Sequence, residues 1–140
     1  MNDIIVHLHS GLRWVSLVLL LLAIFNAFTA KEFKKPHQMI NLFTMVTLHT
    51  QLLIGLYLYF QTVQFAPGWM KDPVQRFYGM EHVLGMVIAL TFITLGYVKA
   101  KKGKSPQEKF KPIRLWYVLG LLLILAFIPW PFRNLGGHWF

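Results

Sequence analysis

Four long blocks of this sequence carry almost no charge, and that feature restricts the fold more than any other. Ile4–Ala30 contains one charged side chain, Arg13, while Pro36–Met70, His82–Val98 and Leu115–Phe132 contain none. A helix rising about 1.5 Å per residue needs about 20 apolar residues to cross a hydrocarbon core of about 30 Å. A soluble bundle would show a charged face on every helix at intervals of about two turns, and these blocks lack one. The pattern predicts an all-α integral membrane protein, a single four-helix transmembrane domain over 1–140. The helices are expected at roughly residues 5–29, 38–62, 79–100 and 113–131 as an up-down-up-down bundle. The first block reads as helix one rather than a cleaved leader, because Asp3 precedes any Lys or Arg and Phe28 stands where a cleavage site wants a small residue.

The charges then orient the spans. The chain has 14 Lys and Arg against 5 Asp and Glu, a formal charge of +9. Most of that excess lies in two stretches, Lys31–Lys35 and the segment from Lys99 to Arg114. The positive-inside rule puts both on the cytoplasmic face, with both termini and the central loop outside. The basic excess is therefore a topology signal suited to a lipid bilayer with anionic headgroups, and no nucleic-acid partner is expected. The expected location is the bacterial cytoplasmic (inner) membrane, with multiple passes. Pro112 is expected to open helix four, with Pro129 and Pro131 closing it.

Cys is absent, so disulfides, iron–sulfur clusters and thiolate metal sites are excluded, and six His remain as the obvious metal ligands. Ionisable groups at membrane depth are costly and hence informative. His7 and His9 stand two residues apart, about 200° around a helix, and cannot face the same neighbour. Steps of three and four from His9 give Arg13, Ser16, Leu20, Ala23 and Ala27, a stripe suited to an interior; from His7 they give Gly11, Trp14, Val18, Leu21 and Phe25, which suits lipid. From His82 the same steps give Gly85, Met86, Ala89 and Gly96. Such small residues admit either a close helix or a flat ligand.

His9 and His82 enter from the same face at similar depth, on helices that a four-helix bundle places diagonally across its core. That geometry suits a bis-His haem, with Arg13, Arg76 and Arg133 as candidate partners for its propionates and Glu81 as a candidate to orient an imidazole. A hydrogen-bonded His pair is the structural alternative. His49, near mid-membrane, is open between a second cofactor, a proton or quinone site, and a bond to a nearby carbonyl. His37 is expected at the interface and His138 in a tail.

His9-Ser10-Gly11-Leu12-Arg13-Trp14 and His82-Val83-Leu84-Gly85, with Gln51-Leu52-Leu53-Ile54-Gly55 on the helix between them, resemble one four-helix half of the haem A synthase family. The likeness extends to small membrane proteins labelled cytochrome b in bacteria of the Bacteroidetes group. It implies haem-ligating roles for His9 and His82. The chain holds one such half and no Cys pair, so haem binding, rather than oxidative chemistry, is what the resemblance implies. The expected function is that of a membrane cytochrome with haem b, exchanging electrons with a quinone or a respiratory partner complex. A homodimer would restore an eight-helix arrangement. The alternatives are a haem-modifying or quinone-reactive oxidoreductase using His49 with Tyr57 or Tyr59, and a non-catalytic subunit or transporter component binding copper or zinc.

Overall fold

The computed structural model describes residues 3–140 in full and the backbone of Asn2. The chain is all-helical, with no strand among the described residues. Its four long helices are α1 (Asn2–Thr29), α2 (Lys35–Thr62), α3 (Pro73–Lys102) and α4 (Pro106–Phe127), each long and apolar enough to cross a membrane.

Two helices begin earlier than hydropathy predicts, because polar caps set their starts. The Asp72 carboxylate accepts from the backbone N–H groups of Val74 and Gln75 at 2.9 and 3.0 Å, and Pro73 follows at the first helical position, so α3 starts at Pro73. Ser105 Oγ accepts from the Glu108 N–H at 3.2 Å, and the Glu108 carboxylate reaches back to the Lys104 N–H at 2.8 Å. Ser105-Pro106-Gln107-Glu108 is thus a capped start, and Pro112 lies inside α4 rather than opening it. An interior proline lacks an N–H and crowds the preceding turn, and here a widened π-helical turn, Ile113–Tyr117, follows it. At its other end α4 stops at Phe127, because Ile128 is extended ahead of Pro129.

The interior is built from the expected stripes. Ser16, Leu20, Ala23 and Ala27 are buried, whereas Val18, Leu21 and Phe25 are more than half exposed and form part of the apolar outer surface. α1 packs chiefly on α2, and α3 on α4. Gly96 and Gly120 allow the close approach of α3 and α4: a Cβ on Gly96 would stand 2.8 Å from the Trp116 Cβ, and one on Gly120 2.6 Å from the Ile93 Cδ1. Tyr117 is fully buried and donates from its hydroxyl to the Asn41 carbonyl at 2.9 Å, tying α4 to α2.

The ends of the bundle differ in character. At one, Phe33 packs edge-on against Phe110 at 5.1 Å, Lys109 Nζ lies 5.0 Å from the Phe33 ring, and His37 Nδ1 accepts from the Lys34 N–H at 2.9 Å. This lysine end gathers the basic stretches around an aromatic cluster. The other, the histidine end, holds His7, His9 and His82 together with the segment that follows α4.

Candidate functional site

At the histidine end a cavity of about 590 Å³ runs inward between the helices, within the size range of cofactor sites. All four helices and the segment after α4 contribute to its wall. His9 of α1 and His82 of α3 both line it, with ring centres 6.5 Å apart and ring planes 80° apart.

Each imidazole is seated by a particular neighbour. Gly55 gives His9 its space on α2, since a Cβ there would come within 3.0 Å of the His9 Cε1. Gln51, one turn earlier, donates through its amide to the His9 carbonyl at 2.7 Å and sets the register of α1 against α2. His82 follows a second π-helical turn, Phe77–Glu81, whose Gly79 carbonyl accepts from the Tyr59 hydroxyl at 2.9 Å. The His82 Nδ1 lies 2.7 Å from the Phe127 carbonyl oxygen. A carbonyl only accepts, so Nδ1 is the protonated nitrogen and Nε2 holds the lone pair of the neutral ring. The Phe127 ring itself rests against Gly85, where any Cβ would overlap it.

Four buried side-chain atoms lack a hydrogen-bond partner among the described residues: His9 Nδ1, Arg13 Nε, Ser16 Oγ and Gln51 Oε1. All four residues line this one cavity. Buried polar atoms are normally paired, so α1 and α2 together present hydrogen-bonding capacity here that a bound water or ligand could meet.

The predicted site residues divide into two sets. His9, His82, Arg13 and Met86 line the cavity; Gly85, Arg76 and His49 do not. Gly85 acts beneath the wall, as the seat of Phe127. Arg76 is turned to the Glu81 carboxylate at 2.7 Å and the Met70 carbonyl at 3.3 Å, so Glu81 orients an arginine and not an imidazole. Arg133 caps the end of α4 through the Ala126 and Ile128 carbonyls and lies 5.0 Å from the Phe77 ring. His49 realises its structural alternative: Nδ1 donates to the Met45 carbonyl at 2.8 Å, and Nε2 lies 3.3 Å from the Thr94 hydroxyl. Tyr57 faces outward, whereas Tyr59 lines the cavity.

Arg13 is bonded to backbone of the segment after α4. Its Nη2 donates to the carbonyls of His138 and Trp139 at 2.9 and 2.7 Å, and Trp14 Nε1 donates to the same Trp139 carbonyl at 2.6 Å. Gly136, Gly137 and His138 thereby reach the cavity rim. No group of three or more His, Asp or Glu that could hold a metal ion occurs among the described residues. No family model matches the chain, and no curated protein or solved structure matches it.

Proposed function

We propose that this chain is a multi-pass membrane cytochrome of b type, with one haem b held between His9 and His82. It exchanges electrons with a quinone or a respiratory partner complex in a bacterial cytoplasmic membrane. The observation that carries this reading is the pair of imidazoles set 6.5 Å apart across an apolar cavity. With metal–nitrogen bonds of about 2 Å and roughly 1 Å from ring centre to nitrogen, two imidazoles on one metal stand about 6 Å apart. The number of donors also favours haem. Two imidazoles are half of what a tetrahedral zinc or copper site requires, whereas a porphyrin brings four nitrogens and asks the protein for two.

A haem so ligated supplies one-electron exchange between ferrous and ferric iron. The chain's own residues prepare the site for it. The Phe127 carbonyl fixes the His82 tautomer and makes Nε2 the more basic nitrogen. Gly55 and Gln51 hold His9 opposite, and Leu52, Met86 and Ile124 give the cavity apolar walls. The lysine end facing the cytoplasm, with both termini outside in an up-down-up-down bundle, sets the haem near the outer face.

The test is an absorption spectrum of the detergent-purified protein, oxidised and reduced, after expression with added haem precursor. The wild type is expected to show a Soret band with low-spin bis-His features. His9→Ala and His82→Ala should each abolish those features, and His37→Ala should keep them. A wild type that takes up no haem refutes the proposal.

A further inference from the structure

The segment after α4 is a roof fastened both by hydrogen bonds to its backbone and by aromatic contacts of Trp139 and Phe140. Only Leu135 is buried between Arg133 and Phe140; Trp139 is half-exposed and Phe140 mainly exposed. Three hydrogen bonds from Arg13 and Trp14 hold its backbone, and His7 Nδ1 adds a longer one to the Phe140 carbonyl at 3.3 Å. Trp139 lies over Trp14 at 6.5 Å and tilts against Trp130 at 5.9 Å. Two of the polar fastenings converge on a single guanidinium.

That guanidinium is itself under-satisfied. Arginine keeps its charge in any protein setting, and a charge at membrane depth calls for a counter-ion. Arg13 has no carboxylate partner among the described residues, where the ion pairs are Lys34 with Glu32 and Arg76 with Glu81. It sits 5.4 and 5.8 Å from the Trp14 and Trp130 ring centres, bonds to neutral carbonyls, and leaves its buried Nε unused. It also lines the cavity, one turn along α1 from His9. A carboxylate arriving in the cavity offers a fork-matched anion in place of two neutral oxygens, and charge-assisted bonds are roughly twice as strong as neutral ones.

We infer that Arg13 is an exchangeable latch: a carboxylate on an amphipathic ligand entering the cavity takes the guanidinium from the His138 and Trp139 carbonyls and loosens the roof segment 134–140, which Trp14 and His7 continue to hold. Loading of the cavity and loosening of its roof are thereby coupled through one side chain. The inference rests on the haem reading for its natural ligand, whose propionates are such carboxylates. The latch itself rests only on the contacts of Arg13.

Hydrogen exchange of peptides covering 134–140, in the full chain held in lipid nanodiscs, tests both parts. In the absence of porphyrin, Arg13→Gln should speed exchange of this segment at least tenfold. Arg13→Lys keeps the charge and an ammonium that can donate to both carbonyls as the single Nη2 does, and should speed exchange less. Ferric haem with free propionates should loosen the segment in the wild type, whereas its dimethyl ester should give the same low-spin bis-His spectrum and leave the segment protected. Unchanged exchange in both Arg13 variants overturns the latch, as does equal loosening by haem and its ester. If neither porphyrin gives a low-spin bis-His spectrum, the haem reading fails on its own, and exchange in the Arg13 variants still decides whether the latch exists.

Discussion

Gly85→Ala gives the sharpest separation between a packing residue and one that seats the site. A Cβ at residue 85 would overlap the Phe127 ring, and the Phe127 carbonyl is the partner that fixes the His82 Nδ1. Forcing a methyl group into such a contact costs about 1–3 kcal/mol. In a helix without that clash, replacing Gly by Ala would instead stabilise by roughly 0.5–1 kcal/mol. Gly11 supplies this reference on α1, because nothing lies within 4 Å of its would-be Cβ. Both variants share that helix gain, so they should differ by the clash alone, about 1–3 kcal/mol, and at roughly 2–8 °C per kcal/mol for domains of this size range their melting temperatures should separate clearly. Displacing Phe127 also loosens the bond to His82, and losing such an outer partner lowers metal affinity about 10- to 100-fold. Thermal unfolding followed by tryptophan fluorescence reads the first effect, and haem titration of the unloaded protein reads the second. Gly85→Ala/Phe127→Leu makes room for the methyl group and should recover part of both. If Gly85→Ala melts no lower than Gly11→Ala and binds haem as the wild type does, Phe127 does not seat His82.

Gly55→Ala brings a methyl group within 3.0 Å of the His9 ring, which must shift by a few tenths of an ångström. The Gly-to-Ala helix gain of roughly 0.5–1 kcal/mol offsets that shift, so stability should change by less than about 1 kcal/mol, while haem titration shows weaker binding; unchanged binding would free His9 from its assigned place. Asp72→Ala and Ser105→Ala each remove a helix cap and should cost about 0.5–2 kcal/mol in thermal unfolding. Wild-type melting in either variant would put the start of that helix back where hydropathy alone sets it. His49→Ala should leave the oxidised and reduced spectra unaltered, because both ring nitrogens face Met45 and Thr94 rather than the cavity. Loss of a haem band there would return His49 to the list of ligands.

The four spans and the inward face of α1 were legible because both are local, repeating properties. Hydropathy over about 20 residues marks a span wherever it lies, and the steps from His9 through Ser16 and Ala23 to Ala27 separate an inner face from the outer one carrying Val18, Leu21 and Phe25. The starts of α3 and α4 were legible in principle. Asp72-Pro73 and Ser105-Pro106-Gln107-Glu108 are capping sequences, but they lie among charged residues, where hydropathy has already ended the span.

The site was less legible because its second tier is made of backbone. His82 is held by a carbonyl, and any residue at position 127 would present one, so no side-chain pattern announces it. Gly85 belongs to a stripe that admits either a close helix or a flat ligand, and it receives the ring that brings that carbonyl into place. The assignment of Arg13 to a propionate followed from charge and depth, which are local. Its observed bonds go to His138 and Trp139, more than a hundred residues away in sequence, through oxygens that every residue possesses. Gly55 did carry a signal: it is the sole glycine between Lys35 and Thr62, on the same helix as Gln51 and one turn from it. A lone glycine amid bulky residues marks where something from another helix comes close, and here that group is the His9 imidazole. Local patterns therefore identify which side chains face inward, whereas the exchange of one partner for another at Arg13 depends on contacts that only the closed bundle creates.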